Sequence, residues 1–120
     1  MAIEFSMRDG SKLSLIHVVT PPPVSVSEKV LEELNKAGES VLEIGESKCK
    51  SFGLSATKIL KVVENNRSST ASEIAKAAIE GRYDCMILGS RGYTGDRGIL
   101  MGSVGVSLAI SLPCTTIIVR

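Results

Sequence analysis

The fold of this chain is decided by the stretch from Tyr83 to Gly105, which reads YDCMILGSRGYTGDRGILMGSVG. An apolar strand pattern runs into this stretch, and an apolar helix pattern leaves it. Between them, glycines follow the spacing Gly89-x2-Gly92-x9-Gly102-Ser103. Glycine lets the backbone approach an anion closely, and a helix N-terminus offers unpaired N–H donors and the positive end of its dipole. The stretch therefore predicts a strand, a phosphate-binding loop and a helix, in that order.

The segments before and after this stretch alternate between strand and helix patterns. We predict strands over residues 12–19, 56–64, 83–88 and 115–119, and helices over 2–8, about 25–52, 70–81 and 103–112. Strict alternation favours a parallel α/β sheet with helices on both faces, and such sheets bind ligands at the carboxyl ends of their strands. With 43% hydrophobic residues, we expect one domain over residues 1–120.

The long second helix carries two adjacent rows of small and apolar residues. A capping box, Ser25 with Glu28, predicts its start. Helical spacings of four and three join Val30, Leu34, Ala37, Val41 and Ile44, while Leu31, Gly38, Gly45 and Phe52 recur every seven residues beside them. Because glycine weakens a helix, the two glycines indicate a close approach to the sheet.

The composition excludes several classes of function. A net charge of +1 and only four aromatic residues, two Tyr and two Phe, argue against nucleic acid or an anionic membrane as a partner. The spacing of the three cysteines is not that of metal ligands. We interpret them as packing residues, with redox sensing as the alternative. No apolar run is long enough for a membrane span, and the N-terminus lacks a signal-peptide pattern. We therefore expect a cytoplasmic protein.

The glycine spacing, with the strand Tyr83–Leu88 before it and Pro113-Cys114 after it, closely resembles the nucleotide-binding signature of the universal stress protein family. The resemblance also covers Leu15-Ile16-His17-Val18-Val19 and nearly the whole chain. It implies a Rossmann-like, adenine-nucleotide-binding α/β fold in a homodimeric, regulatory stress-response protein with ATP as ligand, and Mg or Mn held through the phosphates. Carried over by position, the implied site comprises Val18 at the adenine, and Leu88, Gly89, Arg91, Gly92, Gly102, Ser103, Val104 and Gly105 at the ribose and phosphates.

The chain departs from the family pattern in two ways, at one residue and at its start. Gly105 stands where many members have Ser or Thr, so a hydroxyl contact to phosphate is replaced by a backbone N–H alone. Family members also begin with a strand and a loop Asp that meets the adenosine, and we expect this chain to lack both and to start within the helix that follows them.

The residues leave several interpretations open. His17 is expected to pack in its strand, because no partner acid or nucleophile is identifiable. Arg91 and Arg97 are candidates to neutralise phosphate, with solvated loop arginines as the alternative, and Asp96 is a turn former or a divalent-ion ligand.

Three functions fit these residues. We expect an ATP-binding regulatory protein, with no catalytic residue and no metal ligand of its own. A slow ATP hydrolase and a ligand-free dimerisation module are the alternatives. We also expect the apolar strand Thr115–Val119 to form a sheet edge that pairs with its own copy in a two-fold dimer.

Overall fold

The computed structural model describes residues 1–22, 27–63, 68–89, 103–112 and 114–119, except for the side chain of Ser103. These residues form helices α1 (Ala2–Asp9), α2 (Glu28–Ser51), α3 (Thr70–Glu80) and α4 (Ser103–Ser111), and strands β1 (Leu13–Val19), β2 (Ala56–Val62), β3 (Cys85–Gly89) and β4 (Thr115–Val119). All eight predicted elements are present. The chain divides into two units, Met1–Ser69 and Thr70–Arg120.

The first unit is a parallel strand pair covered by α2. β1 and β2 pair in parallel, with Leu13 opposite Ala56 and Val19 opposite Val62. α1 leads into β1 through Gly10, whose φ of 69° is left-handed and whose N–H donates to the Ser6 carbonyl. The buried Ser6 hydroxyl donates to the Ser11 carbonyl at 2.6 Å. These two bonds fix the turn between α1 and β1.

The row of α2 that faces the strands is the one that contains Gly38 and Gly45. A Cβ built on Gly38 would lie 2.9 Å from Leu60 Cδ1 and 3.0 Å from His17 Cδ2, and one on Gly45 would lie 2.9 Å from Leu15 Cδ1. Leu42 and Cys49 on the same side are buried. The close approach expected at the two glycines is confirmed.

The neighbouring apolar row of α2 does not share that burial. Val30, Val41 and Ile44 are exposed, Ile44 by 72%. Phe52, the last residue of the row spaced by seven, is also exposed, at the C-cap of the helix. The prediction of the helix start was also wrong, because the cap is Ser27. Its side chain accepts a hydrogen bond from the Val30 N–H at 3.3 Å.

The second unit is a parallel strand pair with two helices. β3 and β4 pair with Cys85 opposite Thr115 and Gly89 opposite Val119. The N–H of Thr115 also donates to the Asp84 carbonyl at 3.2 Å. Leu108 of α4 is fully buried, and Ala77 and Ala78 of α3 are buried as well. α3 ends at Glu80, and Gly81 follows it as the predicted stop. Parallel strands joined by helices confirm the α/β class, and the absence of a first strand stays a prediction.

Candidate functional site

The second unit places a strand end and a helix start on either side of residues 90–102. β3 ends at Gly89, and α4 begins at Ser103. Leu88 is opposite Ile118 and Gly89 is opposite Val119, so both parallel strands end at the same level. β3 therefore ends at the carboxyl edge of this strand pair, which is where parallel sheets bind ligands.

α4 begins directly after residues 90–102. The first four N–H groups of a helix have no partner within it, and the helix dipole places positive charge there. Gly105 lies in this first turn and is buried, and Val104 is half-buried. Leu108, one turn further on, anchors α4 with no exposed surface. The N–H groups of such a first turn are the donors that a helix N-terminus offers to an anion.

The predicted site residues fall into three groups. Leu88, Gly89, Val104, Gly105 and the backbone of Ser103 lie in the described part of the second unit. Arg91, Gly92 and Gly102 lie outside the described residues, as do Asp96 and Arg97. Val18 belongs to the first unit, where it is half-buried near the end of β1.

The direction of Val18 follows from its strand. Leu15, His17 and Val19 all face α2, because each lies within about 3 Å of a Cβ built on a glycine of that helix. Successive side chains of a strand point to opposite faces. Val18 therefore lies on the face of β1 away from α2.

The His, Cys, Asp and Glu side chains of the described residues form no cluster of three or more suited to a metal ion. His17 packs under α2 at Gly38, which agrees with a structural role. Within the same described ranges, no helix combines the length and apolar character needed to cross a bilayer.

The three cysteines are free thiols, Cys49 buried and the other two half-buried. Burial raises the pKa of the Cys85 thiol, and the negative charge of Asp84 and the proximity of Cys114 raise that pKa further. This thiol is therefore held protonated, which opposes a role as a nucleophile.

One polar residue with an unusual environment was missed by the sequence analysis. The Asn35 side-chain oxygen is buried and has no hydrogen-bond partner among the described residues. Asn35 follows Leu31 by four residues and precedes Gly38 by three, so its helical spacing puts it on the row that faces the strands. The spacing could have identified Asn35 from the sequence, because a polar residue is unusual in a helix row that faces a sheet.

Comparison with known proteins finds one family along the whole chain. The model of the universal stress protein family matches residues 1–120. The chain is similar to universal stress protein YxiE of Bacillus subtilis, with 25% identity over 132 residues that cover 99% of this chain and 86% of the relative.

Solved structures of the same family share the fold. Universal stress protein UspA of Lactobacillus plantarum superposes with a TM-score of 0.79 at 17% identity, covering 99% of this chain and 84% of that one. A universal stress protein of Archaeoglobus fulgidus in complex with dAMP gives a TM-score of 0.70 at 17% identity, covering 99% and 82%. From its sequence and from its Rossmann-like fold, this chain belongs to the universal stress protein family.

Proposed function

We propose that this protein binds an adenine nucleotide, ATP, and acts as a cytoplasmic regulatory protein of the stress response. The observation that carries the proposal is the placement of Gly89 and the α4 N-terminus on either side of the glycine-spaced segment. A strand end without a side chain and the N–H donors of a helix start are both features that bind phosphate groups. The relative from Archaeoglobus fulgidus holds dAMP, which supports an adenine nucleotide as the class of ligand.

In this proposal the phosphates contact backbone more than side chains. Gly89, Gly92 and Gly102 allow the close approach, and the N–H groups at Ser103, Val104 and Gly105 donate to the phosphate oxygens. Arg91 neutralises phosphate charge, and Val18 contacts the adenine. Mg or Mn would be bound through the phosphates themselves.

Calorimetric titration with ATP, ADP, AMP and adenosine tests the proposal. We expect Gly102→Val to abolish measurable ATP binding, because a branched side chain directly before α4 would occupy phosphate space, while Cys85→Ala should bind like the parent. Far-UV circular dichroism and melting curves show whether both variants fold. Equal ATP affinity in Gly102→Val and the parent would remove the glycine segment from the site. An absence of binding in the parent would favour the ligand-free dimerisation module.

The same samples separate binding from hydrolysis. Steady release of phosphate by the parent, above the level in Gly102→Val, would make the protein an ATPase. We expect release at the level of the variant, because hydrolysis needs a water-orienting group and an anchored metal, and the sequence of residues 90–102 offers only Asp96 and Arg97 as candidates. Mass spectrometry of nucleotide retained through purification identifies which adenine nucleotide occupies the site.

We further propose that the protein is a homodimer through β4. Within its unit, β4 pairs with β3 on one side, and the described residues of that unit place no strand on the other. Ile117, Ile118 and Val119 are half-buried rather than buried. Pairing of this apolar edge with its own copy gives a closed two-fold dimer. Ile117→Pro removes a central N–H donor, and light scattering should then show a monomer. A monomeric parent would contradict the pairing.

A further inference from the structure

α2 carries an apolar surface that its packing on the strands does not use. We call it the α2 flank and define it as Val30, Ala37, Val41 and Ile44. All four residues are exposed, Val30 by 40%, Val41 by 43% and Ile44 by 72%. At 100° per residue, these four residues lie within about 60° of one another around the helix axis. Their mean direction is roughly 110° from that of the buried residues Gly38, Leu42 and Cys49. The flank is therefore a separate face of α2.

The opposite side of the same helix has a different composition. Glu32, Glu39, Glu43 and Lys50 are exposed there, as expected for a face in contact with water. The α2 flank, in contrast, continues through the half-buried Leu34 and has the alternating spacing of four and three that helices use to pack on one another. An exposed row with this spacing indicates a helical partner.

We propose that the α2 flank binds the α2 flank of a second copy of this chain, with the two helices antiparallel. Charge and size both support this occupant. In antiparallel helices, residues whose numbers have a constant sum lie opposite each other. The alignment that places Glu33 opposite Lys48 of the second copy also places the small Ala37 opposite the large Ile44. Each contact occurs twice, because the arrangement is two-fold symmetric.

A parallel arrangement loses both kinds of complementarity. It would place Glu33 opposite Glu33, Lys48 opposite Lys48 and Ile44 opposite Ile44. Like charges that face each other oppose association, and equal residues leave the small positions unfilled. The proposed contact is independent of nucleotide binding and uses a different surface from β4, so it stands or falls separately from the proposed function.

Disulfide cross-linking distinguishes these arrangements. Ala37→Cys and Ile44→Cys are each made in chains with Cys85→Ser and Cys114→Ser, then oxidised with copper–phenanthroline in air, alone and mixed. The antiparallel contact predicts a cross-linked dimer in the mixture and none from either variant alone. Glu39→Cys mixed with Glu43→Cys, on the charged side of α2, is the matched control and should stay uncross-linked.

The other outcomes overturn the proposal. Cross-linking of each variant alone would indicate parallel helices. An absence of cross-links in the mixture would show that the flank does not meet a second copy, including the case of a dimer held through β4 alone. Circular dichroism verifies that the variants fold, which is expected because all four positions are exposed.

A charge exchange tests the alignment without new thiols. Glu33→Lys should weaken the α2 contact by about tenfold in sedimentation equilibrium, because two ion pairs become two repulsions. The double variant with Glu33→Lys and Lys48→Glu restores opposite charges and should regain the affinity of the parent. Failure of the second change to restore association would contradict the pairing of these two residues.

Discussion

Replacing Gly38 with Ala tests how closely α2 approaches its strands. In an exposed helix this change would stabilise the protein, because glycine is about 1 kcal/mol less favourable than alanine. At Gly38 the added Cβ would lie 2.9 Å from Leu60 Cδ1, 3.0 Å from His17 Cδ2 and 3.1 Å from Val19 Cγ2. These distances are well short of the 3.5 to 4.0 Å at which carbon atoms attract each other best.

The net effect follows from the two opposing terms. Three side chains from two strands would have to move together, and overpacking of this kind costs about 1 to 3 kcal/mol. Subtracting the gain of about 1 kcal/mol in helix propensity leaves a net cost of about 0 to 2 kcal/mol. We therefore expect Gly38→Ala to lower the free energy of unfolding by about 1 kcal/mol, the middle of this net range. Urea unfolding followed by far-UV circular dichroism measures this difference.

Two further variants isolate the cause. Gly45→Ala meets one atom, Leu15 Cδ1, at the end of a flexible side chain, so relaxation is easy and stability should stay within about 0.5 kcal/mol of the parent. Ser47→Ala, at an exposed position of the same helix, should be neutral or slightly stabilising. If Gly38→Ala were more stable than the parent by the full propensity gain, the close packing of α2 on β1 and β2 would be refuted.

Three other predictions concern charge and buried polarity. Glu46 Oε1 lies 3.3 Å from Lys58 Nζ and 3.8 Å from Lys50 Nζ, so Glu46→Gln should cost under about 1 kcal/mol, and less in high salt, whereas Lys50→Gln should be neutral in urea unfolding. Asn35→Leu removes a buried oxygen without a described partner and should raise Tm, whereas Asn35→Ala, which leaves a cavity, should lower it. The pKa of Cys85 is raised by burial and then by the charge of Asp84, so the folded protein holds the thiol proton more tightly than the unfolded chain does. The free energy of unfolding should therefore be constant around neutral pH and fall above about pH 8.5, where the thiol of the unfolded chain ionises first. Peptide-resolved alkylation should therefore reach half-rate at higher pH for Cys85 than for an ordinary thiol, and Asp84→Asn should lower that pH.

Element types were predictable because short-range chemistry decides them. Gly10 adopts the left-handed conformation that ends α1, and Gly81 follows the last residue of α3. Boundaries were less certain. Two serines, Ser25 and Ser27, are both suitable caps for α2, and sequence alone does not show which hydroxyl reaches an N–H two or three residues later. The structure selects Ser27.

The orientation of α2 shows what periodicity leaves undecided. Two adjacent rows both have helical spacing, and hydrophobicity favours the row with Val41 and Ile44. The strands instead meet the row with Gly38 and Gly45, because a helix without side chains at two positions can come closer to the sheet and bury more backbone surface around them. Periodicity identifies amphipathic rows, but only the depth of approach decides between them.

The proposed phosphate site is predictable to a different degree, because the contacts proposed for it come from the backbone. N–H groups at a strand end and a helix start are present in every residue except proline, so no side chain identifies them. What the sequence can show is where side chains are missing, at Gly89, Gly92 and Gly102, and where a strand and a helix border that segment. The same reasoning predicts how the site responds to mutation. Substitutions that add a side chain to those glycines should remove binding, whereas changes to neighbouring side chains should alter affinity by smaller steps.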